Sequence, residues 1–192
     1  MTSPEHFDDE DADAVFARLA RIPVALTRRG VEFIAIGGWA VQAQRLDFGL
    51  TRDVDFTPAP DPANLQRLSD ALEDLNAQLR AGDESFPFSH DAEFLAHMSV
   101  LTLTCDYGNF DVCREPSGIA GGYEELAQRA HTVLLRVDDE TIRVRCADLA
   151  DIVRSKQAAD RPKDREVLEL LVAQLEDRDA RWRHDPGRGL SL

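Results

Sequence analysis

Two aspartates, Asp53 and Asp55, stand two residues apart at the end of the stretch VEFIAIGGWAVQAQRLDFGLTRDVDF, residues 31–56. Residues i and i+2 of a β-strand point to the same face. The two carboxylates therefore project side by side, while Val54 and Phe56 turn the other way into a core. Like charges so placed repel unless a cation sits between them. Oxygen ligands converging on one point suit Mg²⁺, with Mn²⁺ as the alternative, and Mg²⁺ usually binds one or two carboxylates together with substrate phosphates. Upstream, Gly37 and Gly38 separate an apolar strand, Val31 to Ile36, from a helix that opens at Trp39. Glycines at such a turn let backbone approach a ligand closely, and the amides that open a helix favour an anion. The combination points to a site for a metal and a triphosphate. The plain alternative is that a Gly-Gly pair is turn punctuation and Asp-x-Asp an exposed strand face.

The elements around this stretch follow from apolar spacing. A first helix is predicted from Asp13 to Arg29, with Val15, Leu19, Ile22 and Leu26 on one face, Gly30 as its stop and Pro23 kinking it. Pro58 and Pro60 close the Asp-x-Asp strand. Asp61 to Arg80 reads as one long helix with a stripe of leucines three and four apart, ended by Gly82, and residues 83–91 read as a loop. From Met98 the chain alternates as a hairpin whose second strand puts Phe110 and Val112 on one face and Asp111 on the other. Asp106, beside the turn, competes with Asp111 as a site acid but is placed as a turn former. A loop over 115–122, a short helix from Tyr123 and a second hairpin, His131–Val137 with Thr141–Cys146, follow. Asp148 to Ala159 reads as a helix, and Asp160 as the cap of another with Pro162 in its first turn and Val167, Leu168, Leu171 and Leu175 on one face. Strands interleaved with helices and hairpins imply an α/β (α+β) domain, a mixed β-sheet flanked by helices with a C-terminal helical segment. The partition is an acidic, frayed start over 1–12, a core over 13–146, C-terminal helices over 147–182 and a flexible tail over 183–192.

The 192 residues carry 22 Lys and Arg against 36 Asp and Glu, a net charge of −14. Such acidity argues against broad, charge-driven binding to nucleic acid, which depends on neutralising phosphates. Three cysteines, Cys105, Cys113 and Cys146, have no metal-type spacing and read as small buried residues in a reducing compartment. The beginning MTSPEHFDDEDADA has no basic or apolar leader segment, and no apolar run approaches membrane-spanning length, so a cytoplasmic protein with no membrane partner is expected. Five scattered histidines lack ligand spacing for zinc. No P-loop, G-x-G-x-x-G, H-E-x-x-H or G-x-S-x-G motif is present.

At GGWAV and LTRDVDF the chain resembles the nucleotidyltransferase superfamily that includes DNA polymerase beta, and more narrowly the minimal nucleotidyltransferases of the AbiE type, which include toxins of toxin–antitoxin systems and relatives of aminoglycoside nucleotidyltransferases. The resemblance implies a third carboxylate on a later strand, matched by Asp111, which joins Asp53 and Asp55 at the metal site as a second-metal ligand or acts as base on the acceptor, and a triphosphate cradle at Gly37, Gly38 and Thr51. A second matching segment, K-x-x-A-x-R-x-K-D, is met by Lys156, Ala159, Arg161, Lys163 and Asp164. The resemblance implies that this segment faces the nucleotide. Lys156 and Arg161 would supply point and fork charges for phosphate oxygens, and Asp164 would orient the lysine or the acceptor. The alternative for these cations is a solvated helix end complementing its dipole. Where the family pattern reads R-x-T-x-D this chain has Gly49 in place of the arginine, with Arg45 and Arg52 nearby to take its role. The implied activity is Mg²⁺-dependent transfer of a nucleoside monophosphate from an NTP to a hydroxyl on a small molecule, a protein or a tRNA 3′ end. An antitoxin is the implied protein partner for a toxin. An alternative of another class is a non-catalytic module of the same fold that binds a nucleotide or a partner protein.

Overall fold

The computed structural model describes residues 11–184; residues 1–10 of the frayed start expected over 1–12, and 185–192 of the tail expected over 183–192, lie outside the described residues, while Ala12 already begins a helix. The centre is one mixed sheet built from β1 (Phe33–Ile36), β2 (Asp53–Pro58), β3 (Gln78–Ala81), β4 (Glu84–Phe86), β5 (Val100–Cys105), β6 (Gly108–Cys113), β7 (His131–Val137) and β8 (Glu140–Cys146). The strands lie in the order β4-β3-β5-β6-β2-β1-β8-β7. β1 runs antiparallel to β2, while β2 is parallel to β6 and β1 parallel to β8. The helices are α1 (Ala12–Leu19), α2 (Arg21–Arg28), α3 (Gly37–Ala43), α4 (Pro62–Asp74), α5 (Ala92–His97), α6 (Gly122–Ala127), α7 (Leu149–Ala159) and α8 (Pro162–His184). The α/β fold with a mixed sheet and C-terminal helices is the one the apolar patterns imply.

Strand alternation decides which face is the core. Val54, Phe56 and Phe110 are fully buried. The Phe56 and Phe110 rings stack with centroids 6.3 Å apart, and Phe33 meets Phe56 edge-on at 5.5 Å. Trp39 of α3 is also fully buried and stacks on Phe16 of α1 at 5.2 Å. Buried Asn64, at the start of α4, accepts from the Glu32 amide at 2.7 Å and donates to the Glu32 and Ala59 carbonyls at 2.9 Å each. One side chain thereby ties the entry of β1 to the exit of β2.

Several boundaries differ from expectation, each for a local reason. The first helix is two: it breaks at Ala20, which leaves Pro23 in the first turn of α2, where a missing N–H costs nothing. The long helix from Asp61 stops at Asp74, because Asn76 adopts a left-handed φ of 47° and turns the chain back. Residues 78–81 then pair with 84–86 across Gly82, whose φ is 63°. The leucine stripe crosses this turn unbroken, since Leu72 and Leu75 cover the sheet and Leu79 belongs to it. Helix α5, not expected, is capped by Asp91, whose carboxylate accepts from the amides of Glu93 and Phe94. Helix α3 opens at Gly37, two residues before Trp39. Asp160 does not cap α8; it ends α7 in a left-handed conformation, and its carboxylate pairs with Arg165 at 2.7 Å. Helix α8 runs on through Arg181 to His184, where a loose tail was expected.

The seating of α8 matters for the site. Of its expected apolar face only Leu171 is fully buried, with Val167, Leu168 and Leu175 partly covered. Polar clamps do the rest. Gln174 accepts from the Asp47 amide at 2.9 Å and donates to the Asp47 carbonyl at 2.8 Å. Arg178 reaches Asp148, the N-cap of α7, at 2.7 Å. Under α7, the buried carboxylate of Asp151 pairs with both Arg129 and Arg154. Among the described residues no helix is long and apolar enough to cross a membrane.

Candidate active site

The parallel register of β2 and β6 sets Asp55 opposite Asp111 and Asp53 opposite Asn109. Their neighbours Val54, Phe56, Phe110 and Val112 fill the core, so all three carboxylates emerge on the other face. There they line one cavity of about 690 Å³, closed by the start of α3, the loop before β2 and the α7–α8 junction. Asp106 lies in the turn between β5 and β6 and is not part of the lining. Between the two candidates, Asp111 is the acid at the cavity.

Both glycines are required by the chain itself. Gly37 has φ +71°, and a Cβ there would fall 2.1 Å from Asp55 Oδ2. A Cβ on Gly38 would fall 2.2 Å from the Phe48 ring. A methyl at Gly37 therefore displaces the Asp55 carboxylate as well as straining the backbone. Gly37→Ala is expected to cost roughly 1–3 kcal/mol of stability, read as a lower denaturant midpoint, and to weaken divalent-cation binding in the same protein. Thr51 is buried, with its hydroxyl 3.3 Å from the Asp53 carbonyl and 3.4 Å from Asp53 Oδ1, so it braces the first carboxylate.

Crowding of like charge dominates the acidic wall. Burial, then the nearby Asp53 and Asp111, push the Asp55 carboxyl up to about 7, against the pull of Lys163 and Lys156. Burial and Asp53 also raise Asp111, while Arg80 and the Thr102 hydroxyl hold it back. Burial pushes the neighbouring Cys113 thiol up to about 11, so it stays protonated and acts as packing.

The basic wall comes from the α7–α8 junction. Asp164 is almost fully buried and accepts from Lys156 at 2.8 Å and from Arg161 Nε at 2.6 Å. Burial opposes its charge, but hydrogen bonds from Arg161 and Lys156 outweigh that cost and keep the carboxyl below its usual range. Lys156 Nζ also sits over the Phe48 ring, 5.1 Å from its centroid. Asp164 thus orients the lysine, one of the two roles open to it from the sequence. Arg52 and Lys163 line the same cavity, are exposed, and make no ion pair among the described residues. Of the two arginines near Gly49, Arg52 reaches the cavity, whereas Arg45 closes the end of α3 with φ 59° and is not in the lining. Gly49 itself has φ +81° with open space around it, and its carbonyl accepts from Gln42 at 2.5 Å.

Two participants escaped the sequence. Phe48 carries no motif, and only its seat between Gly38 and Lys156 gives it a role. Arg80 was expected at the end of a helix; on β3 its Nη2 lies 3.9 Å from Asp111 Oδ1. The signal that could have found it is Asn76 as a helix stop followed by Gly82-Asp83 as a hairpin turn.

Among the described residues no three His, Cys, Asp or Glu side chains converge closely enough to hold one ion together. A pair of carboxylates with substrate phosphates completing the shell is, however, the usual Mg²⁺ arrangement. Asp53 and Asp55 supply such a pair. The near-neutral Asp55 and the buried Asp111 Oδ1, which has no hydrogen-bond partner, are the groups a cation would satisfy.

No protein-family model and no curated protein matches the chain. Among solved structures it is similar to the antibiotic-resistance factor ANT(2'')-Ia in solution, at 18% identity over 91% of this chain and 97% of that one, with a TM-score of 0.48. It is also similar to the lincosamide antibiotic adenylyltransferase LnuA with lincomycin bound, at 15% identity over 80% and 94%, with a TM-score of 0.48. ANT(2'')-Ia in complex with adenylyl-2''-tobramycin aligns at 18% identity over 83% and 88%, with a TM-score of 0.49.

Proposed function

We propose that the chain is a Mg²⁺-dependent nucleotidyltransferase, with Mn²⁺ as an alternative ion, that moves a nucleoside monophosphate from an NTP onto an acceptor hydroxyl. The observation that carries this reading is one cavity with three carboxylates on its sheet wall and cations on the opposite wall. Asp53 and Asp55 would hold the metal, which supplies charge neutralisation on the phosphates when bound. Asp111 would complete the site, either as a further metal ligand or as the base that takes the proton of the acceptor hydroxyl as its oxygen bonds to the α-phosphorus and the bond to pyrophosphate breaks. Gly37, Gly38 and Thr51 would flank the triphosphate. Arg52, Lys156, Arg161 and Lys163, which all line the cavity, would meet its oxygens, with Asp164 holding Lys156 and Arg161 in place.

On the acceptor, the net charge of −14 favours a cationic small molecule over a tRNA 3′ end. A protein acceptor, with a neighbouring antitoxin as partner, is the competing version of the same chemistry. The test is incubation with each labelled NTP, Mg²⁺ and a cell lysate. Label passing to a small-molecule, protein or RNA fraction identifies the acceptor class. If no label moves and calorimetry detects no Mg²⁺–NTP binding, the non-catalytic module becomes the better reading. Within the transferase reading, Lys163→Ala is expected to raise KM for the NTP about 5- to 20-fold with a smaller change in kcat, as for a charge-assisted phosphate contact. Steady-state kinetics at saturating acceptor checks this.

A further inference from the structure

The sheet carries a row of polar side chains that the proposed chemistry does not fully use. Asp55 lies opposite Asp111 and Asp111 opposite Thr102. On the next strand Gln78 and Leu79 pair with Thr104 and Leu103, which continues the row to Arg80. Across four neighbouring strands the row reads carboxylate, carboxylate, hydroxyl, guanidinium. Its two ends compete for the group between them. Arg80 is about one-quarter exposed and stands 3.9 Å from Asp111, beyond hydrogen-bond length. Arg80 Nε and Asp111 Oδ1 are both buried without a hydrogen-bond partner. With the guanidinium Nη2 3.9 Å from that same Oδ1, the ion pair is an unfinished contact. Meanwhile Asp111 does not converge with Asp53 and Asp55 on one point.

We propose that Arg80 is a built-in counter-cation that holds Asp111 away from the Asp53–Asp55 pair in the metal-free chain, so that a divalent ion must draw Asp111 off Arg80 to gain its third carboxylate. This rests on the metal-binding part of the nucleotidyltransferase reading. Arg80 is not in the cavity lining and touches neither reacting group; it is a positioning residue acting through Asp111. Its backbone is anchored by pairing with β4, where Arg80 is the register partner of Ser85, and it stands outside the cavity lining. The Asp111 side chain, by contrast, needs only to turn about its own bonds to exchange one cation for the other. The direction of the effect is therefore set: removing Arg80 makes the metal easier to bind, whereas a purely structural residue would make it harder.

The experiment is Mn²⁺ binding followed by electron paramagnetic resonance, without nucleotide, on four folded proteins: wild type, Arg80→Gln, Asp111→Asn and the double variant. Arg80→Gln is expected to bind Mn²⁺ about 2- to 5-fold more tightly than wild type, the loss of a partly exposed competing ion pair. The gain should vanish when Asp111 is already Asn. Unchanged or weaker binding by Arg80→Gln, or a gain that persists without Asp111, overturns the proposal and leaves the transferase reading standing. Wild-type protein that binds no Mn²⁺, or binds it equally after loss of Asp53 and Asp55, overturns both. Should Arg80→Gln fail to fold, Arg80→Lys takes its place. It keeps the charge on a shorter reach and is expected to bind more tightly than wild type, and equal or weaker binding counts against the proposal.

Discussion

The Asp53→Ala/Asp55→Ala double variant is expected to lose nucleotidyl transfer by at least about 10³-fold, the scale on which removal of charge stabilisation from a reacting phosphate is felt. Its fold should survive. Both side chains leave the sheet on the cavity face, and among the described residues their one hydrogen-bond neighbour is Thr51. Val54 and Phe56, which hold β2 in the core, are untouched. Far-UV circular dichroism should overlay that of the wild type while label transfer disappears. Full transfer by a folded double variant would end the proposal of a carboxylate-held metal.

The second large effect is on stability, and its sign is the reverse of what deletion of a buried polar group usually brings. The Asp55 carboxyl titrates near 7 in the folded chain against an ordinary value of 3.8. Between those values the unfolded chain releases a proton that the folded chain retains. Metal-free stability therefore falls as pH rises from about 4 to about 7, and the whole penalty is present above 7. At about 1.4 kcal/mol per pH unit the penalty reaches roughly 4 kcal/mol. Asp55→Asn removes it. In the presence of a chelator, the variant should melt on the order of 8–16 °C above wild type at pH 8 and close to it at pH 4. Mg²⁺ should close the gap from the wild-type side. Equal melting temperatures at pH 8 would show that Asp55 carries no such repulsion.

What could be read from the chain depended on whether a residue's role is local. The Asp-x-Asp face, the Phe110-Asp111-Val112 alternation and both hairpins follow from strand periodicity, which two or three neighbours define. Helix ends were less legible. The leucines from Leu65 to Leu79 keep helical spacing across a turn, because covering a sheet and lying in one both demand apolar residues there. The whole of Arg80's placement rode on that boundary. The division of labour among the cations was hidden for another reason. A K-x-x-A-x-R-x-K-D string does not say which cations the buried Asp164 will pair with; it holds Lys156 and Arg161 at the cavity wall, while Lys163 lines the same cavity with no ion pair among the described residues.

The two walls of the cavity differ in how they are held. The acidic wall is the reverse side of the core: the backbone that carries Asp53 and Asp55 cannot shift unless Val54 and Phe56 shift with it, so β2 keeps its place until the domain itself melts. The basic wall is mounted on two helices: α7 buries Leu149, Ile152 and Val153 in the core, while α8, fastened by the Gln174–Asp47 and Arg178–Asp148 clamps, has Leu171 as its one fully buried apolar side chain among the described residues. Such clamps break singly and re-form, whereas a packed core yields only as a whole. The cavity is therefore a jaw with one rigid and one yielding side. In the proposed reaction the yielding side is where pyrophosphate would leave, and the carboxylates would stay aligned for the next turnover.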